Sequence, residues 1–162
     1  MDNFYKNTIQ KDPRFHSINP VSDLALLEPV TRAAVQGIIV DAKAAGHNMM
    51  VFETYRSQEL QAIYFRRGVT QLKTVGVHHY GLAADIVKVD EYGHPSWDGD
   101  FSFLGVLAKK HGLISGLDWG HPEREHSFID PCHVQRVRVE DQGRLFSGDW
   151  YPDKSYDPYK GA

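Results

Sequence analysis

The sequence predicts a small α+β domain, a mostly antiparallel sheet flanked by helices. Three observations carry the prediction. Apolar residues recur at helical spacing in separate segments, β-branched and apolar runs of strand length lie between them, and glycines stand where helices should stop. The 162 residues fit one domain, with a core expected over about 28–137 and an extension over 140–162 wrapped around it. A chain of this length buries roughly 70% of its unfolded surface, so a core forms without disulfides or metal.

The elements follow in order. Residues 1–22 are polar, carry Pro13 and Pro20, and read as an irregular lead-in. Glu28 to Ala45 is the clearest helix: Pro29 suits its first turn, Val30, Ala33, Ala34, Ile38 and residues 40–45 supply an apolar stripe with some drift, and Gly46 stands at its stop. Met49 to Tyr55 reads as a mostly buried strand. A second helix starts with Ser57 as N-cap and ends before Gly68. Residues 69–80 are expected as loop or short strand, and Ala84 to Val89 forms a β-like run. A polar loop spans Asp90 to Gly99, followed by a third helix from Asp100 to His111 with Leu104, Leu107 and Ala108 on one face. Lys109 and Lys110 suit its negative end, and Gly112 stops it. A turn-rich segment runs through Trp119, Gly120, His121 and Pro122, and short strands are expected near Ser127–Ile129 and His133–Val139.

Composition excludes several classes. Hydrophobic residues at 41% and charged residues at 24% are ordinary for a globular protein. A net charge of −3 argues against a nucleic-acid partner. Cys132 is the single cysteine, so there is no internal disulfide and no cysteine zinc cage; a metal must use histidine and carboxylate. No apolar segment approaches the ~20 residues needed to span a membrane.

Three segments carry chemistry. In His78-His79-Tyr80-Gly81-Leu82-Ala83-Ala84-Asp85, the outer residues would lie roughly 23 Å apart on an extended chain. They share an ion only if the chain folds back between them, and Gly81 supplies the turn. Asp85 lies in the most apolar run, where an unpaired carboxylate is costly. In Asp130-Pro131-Cys132-His133, His133 is a candidate third ligand that would leave a fourth position open for water, and Asp130 is a candidate general base. In Tyr55-Arg56-Ser57-Gln58-Glu59-Leu60-Gln61, Arg56 precedes the cap and faces Gln61, and the two are expected as a donor pair pointing outward from the helix start. His79 is the alternative ligand to His78, but the count to Gly81 and Asp85 favours His78. His94, His121 and His126 read as solvated loop residues, Cys132 as a small packed residue, and Tyr80, Trp97 and Trp119 as packing residues or cleft walls.

The pattern Tyr-Arg-Ser-x-x-x-Gln, then His-x-x-Gly-x-Ala-x-Asp, then Asp-x-x-His resembles the zinc D-alanyl-D-alanine carboxypeptidases and their relatives, the L-alanyl-D-glutamate peptidases of phage endolysins. These share a fold with the hedgehog domain and the murein endopeptidases. The resemblance implies one Zn2+ held by His78, Asp85 and His133, with Asp130 as catalytic base, Arg56 contacting substrate or transition state, and Gln61 as its companion. Gly116-Leu117-Asp118-Trp119-Gly120 resembles the stretch before the last metal motif, which implicates Trp119 in substrate binding. Two positions depart from the family pattern: Gly76 stands where serine is frequent, and Cys132 where proline is. The resemblance implies a monomeric peptidoglycan hydrolase cutting an amide of the murein stem peptide, with Asp rather than Glu at the base position favouring the endolysin-like L-alanyl-D-glutamate endopeptidase. A D-alanyl-D-alanine carboxypeptidase and a non-catalytic zinc-binding module are the alternatives. The residues from Met1 to Lys6 lack the apolar stretch of a secretory signal, so the expectation is cytoplasmic synthesis and action on the cell wall after release.

Overall fold

A computed structural model describes residues 3–119 and 128–158. Helix α1 (Pro29–Ala44) begins with proline in its first turn, and the Glu28 carboxylate caps it by accepting from the amides of Val30 and Thr31. Strand β1 (Met49–Glu53) precedes α2 (Gln58–Arg66), which Ser57 caps through the Leu60 amide. A 3-10 turn at Val77–Tyr80 leads into β2 (Ala83–Val89), which turns back into the two-residue β3 (Pro95–Ser96). Helix α3 (Ser102–Lys110), β4 (Ile114–Gly116), β5 (Asp130–Gln135) and the short α4 (Gln142–Ser147) follow. The sheet is antiparallel, in the order β1-β2-β5-β4, with β3 pairing the far end of β2. This is the α+β architecture expected from the alternation of segments.

Two apolar clusters hold the sheet. One joins α1 and α3 to the sheet through residues including Val35, Ile38, Ile86, Leu104 and Val134. The other gathers Tyr5 and Ile9 from the start of the chain, Tyr80 and Leu82 from its middle, and Leu145 and Tyr156 from its end. There the Tyr156 hydroxyl donates to the Tyr80 carbonyl oxygen. Arg136 pairs with Glu28 at 3.1 Å and with Asp153 at 3.1 Å.

Several boundaries differ from the sequence expectation. The lead-in holds a π-helical turn at Tyr5–Ile9, and Val21 bridges Tyr55 beyond the end of β1. Ile114–Gly116, within the segment read as turns, is a strand. The strand expected over His133–Val139 begins earlier, at Asp130, and stops at Gln135. Phe128 and Ile129 are not in a strand, while Gly120, His121, Pro122, His126 and Ser127 lie outside the described residues. The reason for the early start is visible in the pairing. Ile114 and Ser115 face Gln135 and Val134, but Gly116 faces Asp130, so β5 bulges between them around Pro131. A Cβ at position 116 would lie 2.2 Å from the Asp130 carbonyl oxygen, so only glycine lets the strands close there.

Candidate metal centre

The first half of the centre is made by one turn. Gly81 ends the 3-10 turn at φ 66°, and a Cβ there would meet Phe4, the Leu26 carbonyl oxygen and the Glu28 amide within 3 Å. The chain thus folds back as the spacing required, and the side chain of His78 reaches Asp85, with Nε2 3.5 Å from Oδ1. His133 comes from the neighbouring strand, where its backbone faces that of Asp85 directly. Its Nδ1 lies 3.0 Å from the same Asp85 oxygen. One ligand atom from each of His78, Asp85 and His133 falls within 4.8 Å of the others, forming a group able to hold a metal ion.

The donor set fits zinc. His78 Nδ1 lies 2.9 Å from the Thr54 carbonyl oxygen, to which it can only donate, so Nε2 carries the lone pair. That Nε2 is buried and lacks a hydrogen-bond partner, an orphan a metal would satisfy. Burial, reinforced by the Arg56 charge, lowers the His78 pKa to about 4 and keeps the ring in its neutral, ligating form. Burial opposes ionisation of Asp85, but the neighbouring His78 and His133 outweigh it and hold the carboxyl well below its usual range. Two imidazoles and one carboxylate leave a tetrahedral ion one open position.

Asp130 lines the same cleft. Burial and the Asp85 charge raise its pKa, which moves the carboxyl toward the range of a working base. Its Oδ1 accepts from the Cys132 thiol at 3.4 Å. Cys132 is buried and free, and burial pushes its thiol up, in line with a packing role. His79 points elsewhere: its Nδ1 accepts from the Gly76 amide, and its ring meets Tyr55 edge-on at 6.3 Å.

Arg56 and Gln61 require a correction. They do not face outward from the helix start; both are buried, at 8% and 1% exposure, and turn into the floor of the cleft. The attraction that turns them is Glu53, fully buried at the end of β1, whose Oε2 accepts from Arg56 Nε and Nη2. Arg56 Nη2 also donates to Asp85 Oδ2 at 3.1 Å, and Nη1 to Gln61 Oε1 at 3.3 Å. The Gln61 amide nitrogen in turn donates to the Leu72 carbonyl oxygen. The guanidinium lies over the Tyr64 ring, 4.7 Å from its centre. Burial lifts the Glu53 pKa to about 7 despite Arg56.

The sequence reading missed Glu53. The signal was present, because Glu53 ends an apolar run as Asp85 interrupts one, and the same desolvation cost demands a partner.

The cleft encloses about 580 Å3. Trp119 forms one wall, its ring 5.2 Å from His133 and stacked 6.0 Å from Phe128. Phe52 and the half-exposed Trp97 pack edge to face at 4.8 Å and form another.

An open antiparallel sheet carrying a His–Asp–His group beside a cleft belongs to a fold class found in solved peptidases, as the motif resemblance implied. The structure is similar to that of the Serratia marcescens L-Ala D-Glu endopeptidase ChiX, with a TM-score of 0.57 and 20% identity over 81% of this chain and 94% of that one. It is also similar to a variant of the vancomycin resistance D,D-pentapeptidase VanY from a VanB-type cassette, solved in complex with Zn(II). There the TM-score is 0.50 and the identity 20%, over 75% of this chain and 78% of that one. No family model and no curated protein matches the chain.

Proposed function

We propose that this chain is a zinc-dependent peptidase that hydrolyses the L-alanyl-D-glutamate bond in the stem peptide of peptidoglycan. The observation that carries the peptidase reading is the buried His78–Asp85–His133 group, with an orphaned ligand nitrogen, opening onto a cleft that also holds Asp130. A zinc ion bound by those three residues supplies Lewis acidity for amide hydrolysis. Asp130 takes the proton of the attacking water and passes it to the leaving amine. Of the five N–H donors of Arg56, four bond to Glu53, Asp85 and Gln61. The fifth, on Nη1, serves the oxygen on which negative charge develops. Trp119 lines the wall against which the substrate lies.

The state of Arg56 also bears on which bond is cut. A carboxypeptidase must hold a free terminal carboxylate, and an uncommitted cation is the natural device. Arg56 is the only lysine or arginine among the described cleft residues, and its guanidinium is already paired with Glu53 and Asp85. That supports an internal bond over a terminal one. No helix among the described residues is long and apolar enough to cross a membrane, and the proposed site of action is the cell wall.

The test is mass spectrometry of fragments released from purified peptidoglycan by zinc-loaded protein, with His78→Ala as control. Stem peptides that begin at D-glutamate, with L-alanine left on the glycan, absent with the control, are the expected result. Release of single D-alanine residues would replace the endopeptidase by a carboxypeptidase. No fragments at full zinc occupancy would leave a zinc-binding module.

A further inference from the structure

Beyond the ligands, one buried amide is held so that each of its atoms has a single role. Gln135 is fully buried and lies two residues past His133 on β5, so both side chains leave the strand on the same face. Its nitrogen donates to the Val137 carbonyl oxygen, an atom that can only accept. That contact fixes the orientation of the amide and turns Oε1 toward His133 Nε2, 2.8 Å away. Gln142 Nε2 approaches the same oxygen at 3.5 Å. Because Oε1 only accepts, His133 Nε2 must carry a hydrogen, so Nδ1, which donates to Asp85 Oδ1 at 3.0 Å, is the one ring nitrogen able to release its proton and turn its lone pair to a metal.

We infer that Gln135 is a positioning residue for the metal. Through the Nε2–H of His133 it selects the tautomer and fixes the ring angle that present Nδ1 to a zinc ion. The inference rests on the zinc reading above. The choice of an amide has a physical reason. Asp85, Asp130 and Glu53 already bring three carboxyl groups to this part of the fold. A fourth would add repulsion, whereas an amide oxygen orients the ring without charge.

The test measures zinc affinity by chelator competition for the wild type, Gln135→Leu and Gln135→Glu, and the melting temperature of each with and without zinc. Gln135→Leu should bind zinc roughly ten- to a hundred-fold more weakly, while Gln135→Glu, which keeps an acceptor, recovers part of the loss. The gap between zinc-loaded and zinc-free melting should narrow in Gln135→Leu, because zinc-dependent stabilisation tracks affinity. A role in packing alone lowers both melting temperatures together and leaves the gap intact, which would overturn the inference. So would unchanged affinity in Gln135→Leu. If that variant does not fold, the zinc-loaded wild type still decides, by nitrogen-15 spectra of its histidines. A proton on His133 Nε2 supports the assignment, and a proton on Nδ1 refutes it. Failure of the wild type to bind zinc would overturn the zinc reading itself, an outcome distinct from equal binding by wild type and variant.

Discussion

On the metal side of the cleft, His78 keeps one ring nitrogen without a partner and His133 turns one toward Asp85, while Thr54 and Gln135 hold the other nitrogen of each ring in place. On the arginine side, four of the five guanidinium donors are already paired within the protein, with Glu53 and Asp85 as the charged partners. Asp85 joins the two, with Oδ1 toward the histidines and Oδ2 toward Arg56. The difference teaches what each side can do. The metal side has unmet coordination and gains from a ligand, whereas the arginine side is nearly satisfied and offers one directed hydrogen bond rather than a free charge.

The strongest way to break this comparison is to remove the orphaned nitrogen. His78→Ala should lose zinc at micromolar concentration and with it all turnover, read by metal analysis and peptide hydrolysis together. Next comes Asp130→Asn, which should keep its zinc while turnover falls about 10²- to 10⁴-fold, the usual contribution of a positioned base. Normal turnover in that variant would remove Asp130 from the mechanism.

Glu53→Gln sharpens the contrast by removing one of the two carboxyl groups that pair with Arg56, leaving Asp85. Peptides ending in a free carboxylate should then bind about tenfold more tightly, roughly the ~1.4 kcal/mol of one charge-assisted hydrogen bond. Unchanged binding of such peptides would mean that Arg56 was never offset. The smallest effect is on pH dependence. Burial lowers the pKa values of His78 and His79 to about 4. Between pH 4 and 6.5 the unfolded chain therefore takes up protons that these folded rings refuse, so their contribution to stability rises with pH and is lost as pH falls toward 4. In zinc-free protein, His79→Gln should flatten that slope relative to the wild type, as followed by thermal melting.

The metal side was legible in the sequence and the arginine side only partly. His78, Gly81 and Asp85 are close in sequence, so their spacing constrains their geometry, and the apolar run around Asp85 signals a carboxylate that needs partners. Arg56 and Gln61 stood out by residue type, but their direction depends on Glu53 and Asp85 across the β1–β2 pairing, which no local spacing encodes. The helices were legible because caps and stops are local: Glu28, Ser57 and Gly112 sit where the structure uses them. Strand β4 was not, because three residues carry too little pattern to separate a strand from a turn. An extension wrapped around the core was expected, but which of its residues pack there was hidden, since that rests on contacts such as that of Tyr156 with Tyr80.

The direct pairing of Asp85 with His133 has a consequence for the order in which the protein comes apart. His78 and Asp85 are joined by one local turn, but His133 lies 48 residues beyond Asp85 and reaches it only when β5 docks on β2. Metal-binding energy therefore falls on that long-range pairing rather than on α1 or α3. When zinc is withdrawn, amide exchange should quicken first along β5 and β4, while α1 and the pairing of β1 with β2 hold. On the proposed function, a bound ion would clasp the sheet's far edge, and its removal would end catalysis and edge stability in the same event.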